Sequence, residues 1–300
     1  MKLPTTSLIV YPLVYSIILS LSISLHFLLL SWISSSLLRL YIIDFYVTCV
    51  LFYIGNFIYS SNNIYDIHWP LIPWISTMYF YFLSNLTELP LKKFLLLILL
   101  ISFWSSHLIW QTITSATDIK HEDWRYQMMR GQYKKNFVLF AFFALHLLPM
   151  FEVLIGSSSI YYICINTNSY EHFTIGDILS LFIIACGIVL ENIADRQLAE
   201  FRRHRKRSRE HRFAVLSNGL WKYSRHPNYL GEMLFWWGLF LMGRVYHAPW
   251  WCAIGPLLIT LMMIFGSIPI SEERLFRKYP EYKFFQRRIP ILIPTFGLLG

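Results

Sequence analysis

Charge is scarce in this chain: 14% of its 300 residues are Asp, Glu, Lys or Arg, whereas 56% are hydrophobic. That balance excludes an ordinary soluble domain and indicates a membrane protein. Cysteine is sparse as well. Cys49, Cys164, Cys186 and Cys252 are scattered, with no CxxC and no His/Cys cluster, so neither a disulfide framework nor a zinc site has support. The ten histidines include no close pair at metal-ligand spacing, which argues against di-iron hydroxylases and zinc proteases; no metal is expected. Also missing are a GxGxxG turn, a GxxxxGK[ST] loop and a serine nucleophile elbow, so any nucleotide would have to be bound outside a Rossmann or P-loop unit. Internal repeats, low-complexity tracts and alternating ten-residue barrel strands are absent. The apolar run after Pro4 is too long for a signal peptide core and lacks a small-residue cleavage site, so it reads as a retained first span.

What the chain does have is apolar runs. Eight are long enough, or nearly so, to cross about 30 Å of hydrocarbon. They cover roughly residues 8–33, 37–59, 69–83, 91–110, 136–165, 176–194, 228–243 and 250–268, the third and seventh being short enough to be re-entrant. Backbone groups in lipid must be satisfied within their own segment, so the spans are expected to be helices. The expectation is an all-α, polytopic transmembrane bundle of about seven to eight spans, a single membrane domain over residues 1–300, with the lipid bilayer as its partner.

Twenty-six Lys and Arg against 17 Asp and Glu give a net charge of +9. This charge flanks hydrophobic spans and forms no folded basic domain, so no nucleic-acid partner is expected. Residues 120–135, 196–225 and 274–288 hold 21 of the 26 basic residues. With eight spans these segments share one side with both termini, which the positive-inside rule makes cytoplasmic.

Four polar clusters stand out. HEDWRYQMMR, from His121 to Arg130, reads first as a solvated, salt-bridged loop. In ENIADRQLAEFRR, Glu191, Asp195 and Arg202 share one helical face, and a carboxylate at position 191 so near an apolar run implies a partner or cavity. GLWKYSRHPNYLGE is the most specific stretch. Pro227 marks a helix start whose amides, with Arg225 and His226, make an anion site. Asn228 and Glu232 then align four apart, and Gly231 permits close approach. A basic patch for lipid headgroups is the plainer alternative. The last, SEERLFRKYPEYKFFQRR, puts Glu272, Glu273 and Arg274 where the final span should surface; an amphipathic tail explains its basic residues better than its acidic ones.

These clusters resemble, in order, the steroid 5-alpha-reductase C-terminal domain superfamily in its uncharacterised membrane branch. The matching pieces are HEDWRY at His121 to Tyr126, AD-x-Q-xxx-F at Ala194 to Phe201, GLWKYSRHPNYLGE at Gly219 to Glu232, and EER-xxxxYP-x-Y at Glu272 to Tyr282. YDIHWPLIP, Tyr65 to Pro73, is similar to its earlier Asp-Trp-Pro element, so coverage runs from about residue 60 to the end. The resemblance implies a membrane reductase of the endoplasmic reticulum that takes NADPH from the cytoplasm and reduces a polarised C=C bond in a steroid-like or other hydrophobic lipid. Asp195 and Arg202 match positions contacting the nucleotide, and Asn228 and Glu232 match positions around its ribose and nicotinamide. Glu191, Arg225, His226, Tyr229, Glu272, Glu273 and Arg274 are grouped with them as cofactor-binding candidates. Asp66 and Tyr126 are the candidate proton donors, by chemistry only. The RHPxYxG and Glu-Glu elements also resemble membrane methyltransferases of the isoprenylcysteine or phospholipid type, which use S-adenosylmethionine. A non-catalytic lipid-binding relative is a third reading.

Overall fold

The computed structural model describes residues 5–83, 89–115, 122–166, 172–207 and 215–293. Thirteen α-helices occur among them: α1 (Thr5–Leu30), α2 (Ser36–Tyr53), α3 (Tyr65–His68), α4 (Ile72–Met78), α5 (Leu91–Ser115), α6 (Trp124–Tyr133), α7 (Phe137–Phe140), α8 (Leu148–Ile165), α9 (Ile175–Arg207), α10 (Pro227–Val245), α11 (Ile254–Met262), α12 (Ile268–Lys278) and α13 (Tyr282–Arg288). The described residues contain no strand. The protein is an all-α, polytopic helical bundle, as its apolar runs predict.

Six stretches among the described residues are long and apolar enough to cross a membrane: Val10–Leu30, Ser36–Tyr59, Leu91–Ser115, Trp124–Ile165, Ile175–Arg205 and Trp250–Lys278. Two of the eight expected runs fall short. Residues 69–83 divide into a short 3₁₀ turn, α4 and a π-helical turn, too broken for one span. The other, α10, has 19 residues and so spans about 28 Å. Its length suffices, but Asn228, Glu232 and Arg244 dilute its apolar character.

Two prolines explain why long spans change pitch midway. A proline inside a helix donates no hydrogen bond and its ring crowds the carbonyl four residues back. Pro149 and Pro269 are each preceded by π-helical turns, Ala141–Leu147 and Met263–Ser267. At their ends Leu148 N–H reaches the Phe143 carbonyl and Ile268 N–H the Met263 carbonyl, both five residues back. The wider turn absorbs the proline and the helix continues. The first of these turns also carries His146 into the interior, where Nδ1 donates to the Ala141 carbonyl at 3.0 Å.

The chain forms two compact units, residues 1–172 with 243–255, and residues 173–242 with 256–300. In the first, Leu51, Tyr65, Phe80, Ile101, Trp104 and Phe137 are fully buried, whereas Leu13, Leu19, Phe27 and Leu28 of α1 are exposed. Such exposed apolar surface requires lipid.

In the second unit α9 begins with a reciprocal cap. Thr174 N–H donates to Asp177 Oδ2 at 2.9 Å and Asp177 N–H to Thr174 Oγ1 at 3.1 Å. Farther along, α9 meets α10 backbone to backbone. A Cβ on Gly231 would lie 2.7 Å from the Glu191 amide nitrogen and from the Gly187 carbonyl oxygen, and one on Gly187 would lie 2.6 Å from the Gly231 carbonyl. Both obstacles are backbone and cannot rotate away. Gly231→Ala is therefore expected to force the helices apart at a cost of about 1–3 kcal/mol, read as a lowered melting temperature in detergent; an unchanged value would show that the contact is not tight.

Candidate functional site

The second unit contains all the cofactor candidates. Glu191, Asp195 and Arg202 lie along α9, and Asn228, Tyr229 and Glu232 open α10. Because the two glycines bring the helices together, the side chains beside them meet. Glu191 and Glu232, each 4% exposed, lie close enough to interact electrostatically. Trp236 Nε1 donates to Glu232 Oε1 at 2.8 Å. One turn along α9, Asn228 Nδ2 donates to Asp195 Oδ1 at 3.1 Å. Beyond it Arg202, which is exposed, interacts electrostatically with Asp195, Arg205, Arg274 and Tyr229. The order is thus arginines at the surface, an Asp–Asn pair beneath, and a carboxyl pair deepest. Glu191 Oε2 and Asn228 Oδ1 are buried without a hydrogen-bond partner. A surface concavity lined by Arg196, Ala199, Glu200, Arg203 and His204 includes none of these groups.

Arg225 and His226 lie elsewhere in this arrangement than their spacing predicts. Glu272 accepts from Arg225 Nη1 at 2.7–2.9 Å, from His226 Nε2 at 3.0 Å, from the Tyr282 phenol at 3.2 Å and from Gln286 Nε2 at 2.9 Å. Burial and the Glu272 carboxylate push the Tyr282 phenol above its ordinary value. The backbone joins the same connection: Arg225 N–H donates to the Pro290 carbonyl at 2.9 Å and His226 N–H to that of Ile291 at 3.1 Å. Instead of presenting an open anion site, the two side chains meet a carboxylate that matches their geometry and ties the start of α10 to the C-terminal segment. Tyr229 stacks on the His226 ring, centroids 5.3 Å apart. Glu273 stands outside this group, in an exposed pair with Arg277 at 2.5 Å. Arg274 is exposed on α12 and interacts with Arg202.

The remaining motif residues hold the loop that precedes α10. Trp221 Nε1 donates to the Ala194 carbonyl and Leu220 N–H to Gln197 Oε1, both at 3.0 Å. Gly219, at φ +61°, presses on the Gln197 side chain, where a Cβ would come within 2.6 Å. AD-x-Q and GLW are two halves of one contact.

In the first unit, Tyr126 Oη donates to Asp66 Oδ1 at 2.5 Å. Burial pushes the Asp66 carboxyl up to about 6, against the opposing pull of Arg125 and the Tyr126 hydrogen bond. The loop before Tyr126 is docked rather than merely solvated. Asn62 Nδ2 donates to Glu122 Oε1 at 2.9 Å, Asp123 N–H to Asn63 Oδ1 at 3.0 Å, and Arg130 grips Glu122 with both nitrogens at 2.7 and 3.0 Å. Asp123 caps α6 through Arg125 N–H at 2.9 Å. His121 and Arg209 lie outside the described residues. Among the described residues no group of three or more His, Cys, Asp or Glu is placed to hold a metal ion.

The profile for a protein of unknown function, DUF1295, matches residues 51–289. This chain belongs to the DUF1295 family. The chain is also similar to an uncharacterized protein of Schizosaccharomyces pombe, 24% identical over 268 residues, covering 81% of this chain and 77% of the other. No solved structure matches at a significant level. The matched range of the DUF1295 protein contains both the α9–α10 constellation and the Asp66–Tyr126 pair.

Sequence reasoning passes over Asn62 and Asn63, although two consecutive asparagines between apolar segments are a signal that a loop needs holding. It also passes over Asp44 and His68, which pair at 2.8 Å inside the first unit. The dependence of the C-terminal connection on Glu272 can be tested in the DUF1295 protein directly. Glu272→Ala leaves Arg225, 8% exposed, without its carboxylate. It is expected to lower stability by about 3–5 kcal/mol and to open the chain near residue 290 to protease, whereas Glu273→Ala changes neither.

Proposed function

We propose that this DUF1295 protein is a membrane-embedded reductase that uses NADPH to reduce a polarised C=C bond in a steroid-like or other hydrophobic lipid. The observation that carries the reading is the graded row in the second unit: Arg202 and Arg274, then Asp195, Asn228 and Tyr229, then Glu191 and Glu232. The residues fit a dinucleotide phosphate. Exposed arginines suit phosphate oxygens, carboxylate and amide side chains suit ribose hydroxyls, and the open Glu191 Oε2 and Asn228 Oδ1 are acceptors for hydroxyl or carboxamide donors. The resemblance of the ordered motifs to steroid reductases points the same way. S-adenosylmethionine carries no phosphate, so it would leave the arginine end of the row without a role.

When bound, the reduced nicotinamide supplies the hydride. The chain's own residues do the rest. Arg202 and Arg274 hold the phosphate end, Asp195 and Asn228 fix the middle, and the buried carboxyl pair excludes water and orients the inner end. The Glu272 connection fixes the start of α10 before any ligand arrives. Asp66 and Tyr126, in the first unit, are the pair whose own chemistry suits proton donation. At a value of about 6, Asp66 holds or yields its proton near neutral pH, and Tyr126 Oη is the hydroxyl bonded to it. The proposal places the nucleotide on the cytoplasmic side of the endoplasmic reticulum membrane, with both termini cytoplasmic, in keeping with the basic segments beside the row.

Purified protein in detergent should bind NADPH, with Arg202→Ala weakening it about tenfold or more, as expected for loss of a charge-assisted contact. NADH, which lacks the extra phosphate, should bind less well and respond less to the substitution. Binding of S-adenosylmethionine alone would overturn the reading. Turnover of an enone lipid should also depend on pH. The proton-bearing form of Asp66 prevails below about 6 and is lost as pH rises through that value, so the rate should fall across it. Asp66→Asn should abolish that inflection; an inflection that persists unchanged assigns the proton donor elsewhere.

A further inference from the structure

The C-terminal end of α9 carries a polar face that the proposed reduction does not use. With 33 residues α9 is about 50 Å long, whereas the hydrocarbon of a bilayer is about 30 Å thick, so its basic end stands in the headgroup layer and beyond. Ile178, Phe182, Val189 and Ile193 are exposed and follow one another at steps of four, seven and four, which makes one lipid-facing stripe. The stripe continues in polar residues. Arg196, Glu200 and Arg203 come three, seven and ten residues after Ile193, His204 is four beyond Glu200, and all four are exposed. Glu191, Asp195 and Arg202 recur at steps of four and seven on a different face, so this extension is apart from the proposed nucleotide row.

Together with Ala199 these four side chains line a concavity of about 390 Å³, within the roughly 300–1,000 Å³ of small-molecule sites. Among the described residues neither Arg196 nor Arg203 is in an ion pair. The one carboxylate of the group, Glu200, is 3.6 Å from His204 Nε2. The register of these groups along the helix defines what fits. Arg196 stands about 5 Å along the axis from Ile193, at the edge of the hydrocarbon, where the phosphodiester of a phospholipid lies. Arg203 is about 10 Å farther out, beyond a headgroup layer of about 5–8 Å, so a phosphodiester that engages Arg196 leaves Arg203 unmet. A second phosphate, carried outward on the headgroup, reaches Arg203 and His204. Glu200, between the two arginines, would repel a phosphate and accepts from hydroxyls instead.

We propose that this face of α9 binds an anionic phospholipid with a phosphorylated, hydroxyl-rich headgroup. An acyl chain lies along Phe182, Val189 and Ile193, the phosphodiester meets Arg196, headgroup hydroxyls donate to Glu200, and the outer phosphate meets Arg203 and His204. The site needs no nucleotide and shares no residue with the proposed cofactor row, so it stands or falls apart from the reductase reading.

The test uses the full-length protein in dodecyl maltoside micelles. The probe is phosphatidylinositol 4-phosphate with a fluorescent acyl chain, followed by polarisation and competed with unlabelled lipids. It should bind saturably, and phosphatidylinositol and phosphatidylserine should displace it at least about tenfold less well than unlabelled phosphatidylinositol 4-phosphate. Arg203→Gln should weaken the probe about tenfold and abolish the preference over phosphatidylinositol, whereas Arg196→Gln should weaken both inositol lipids alike. Lys283→Gln removes the same charge from an exposed position on α13 and should change neither. The melting temperature of each variant separates a lost ligand from a lost fold. Displacement by phosphatidylserine as effective as by phosphatidylinositol 4-phosphate, or equal weakening by Lys283→Gln, would mean attraction to net charge alone and overturns the proposal. So does displacement of the probe by NADPH, which would put these arginines in the nucleotide site. Probe binding that persists in saturating NADPH supports the proposal whether or not the protein reduces a lipid.

Discussion

A polar group carried out of water must be met inside the protein or it weighs against the fold. In this chain that constraint explains more of the structure than any single apolar contact. Asp123 enters the first unit bonded to Asn63, Glu122 to Asn62 and Arg130, and Arg39 to the Ile33 and Ser34 carbonyls. In the second unit Glu272 gathers Arg225, His226, Tyr282 and Gln286. Glu122, Asp123 and Glu272 each join segments distant in sequence, where apolar side chains alone would fix no register, whereas Arg39 closes the local turn before α2.

The apolar part of the problem is solved by shape. Leucine and phenylalanine faces turn outward on α1 and α5, so helix association cannot rely on hiding them. Close backbone approach does the work instead, at Gly187 and Gly231, where two helices touch without side chains between them. That contact decides which residues face one another. With it, Glu191 lies against Glu232 and Asp195 against Asn228; a wider separation would break both pairs. The proline-adapted π turns have a similar consequence. Without the extra residue before Pro149, His146 would sit on another face of its helix and could not reach Tyr65.

Much of this is legible in the sequence. The apolar runs give the class and most of the helices, and the i, i+4 spacing of Glu191–Asp195 and Asn228–Glu232 correctly puts each pair on one face. Spacing cannot reveal partners across the bundle. Nothing local in SEERLF shows that Glu272 belongs to Arg225 and His226, 46 and 47 residues earlier, so the two basic side chains read as an open anion site. The same limit hides the Asp44–His68 pair, two polar residues of separate elements that only folding brings together. Span number is overread for a different reason. Residues 69–83 are apolar enough, but Pro70 and Pro73 break them into turns.

The basic residues of the second unit therefore divide by how their charge is met. Arg225 is neutralised by a well-aligned carboxylate, so it contributes order at the start of α10 and little long-range field. Arg202, Arg205 and Arg274 converge with Asp195 as the carboxylate among them. Their mutual repulsion is softened by exposure to water and salt and offset in part by Asp195. The arginines of this unit therefore do different work: Arg225, held by Glu272, completes the fold at the start of α10, whereas Arg202 stays exposed at the far end of α9.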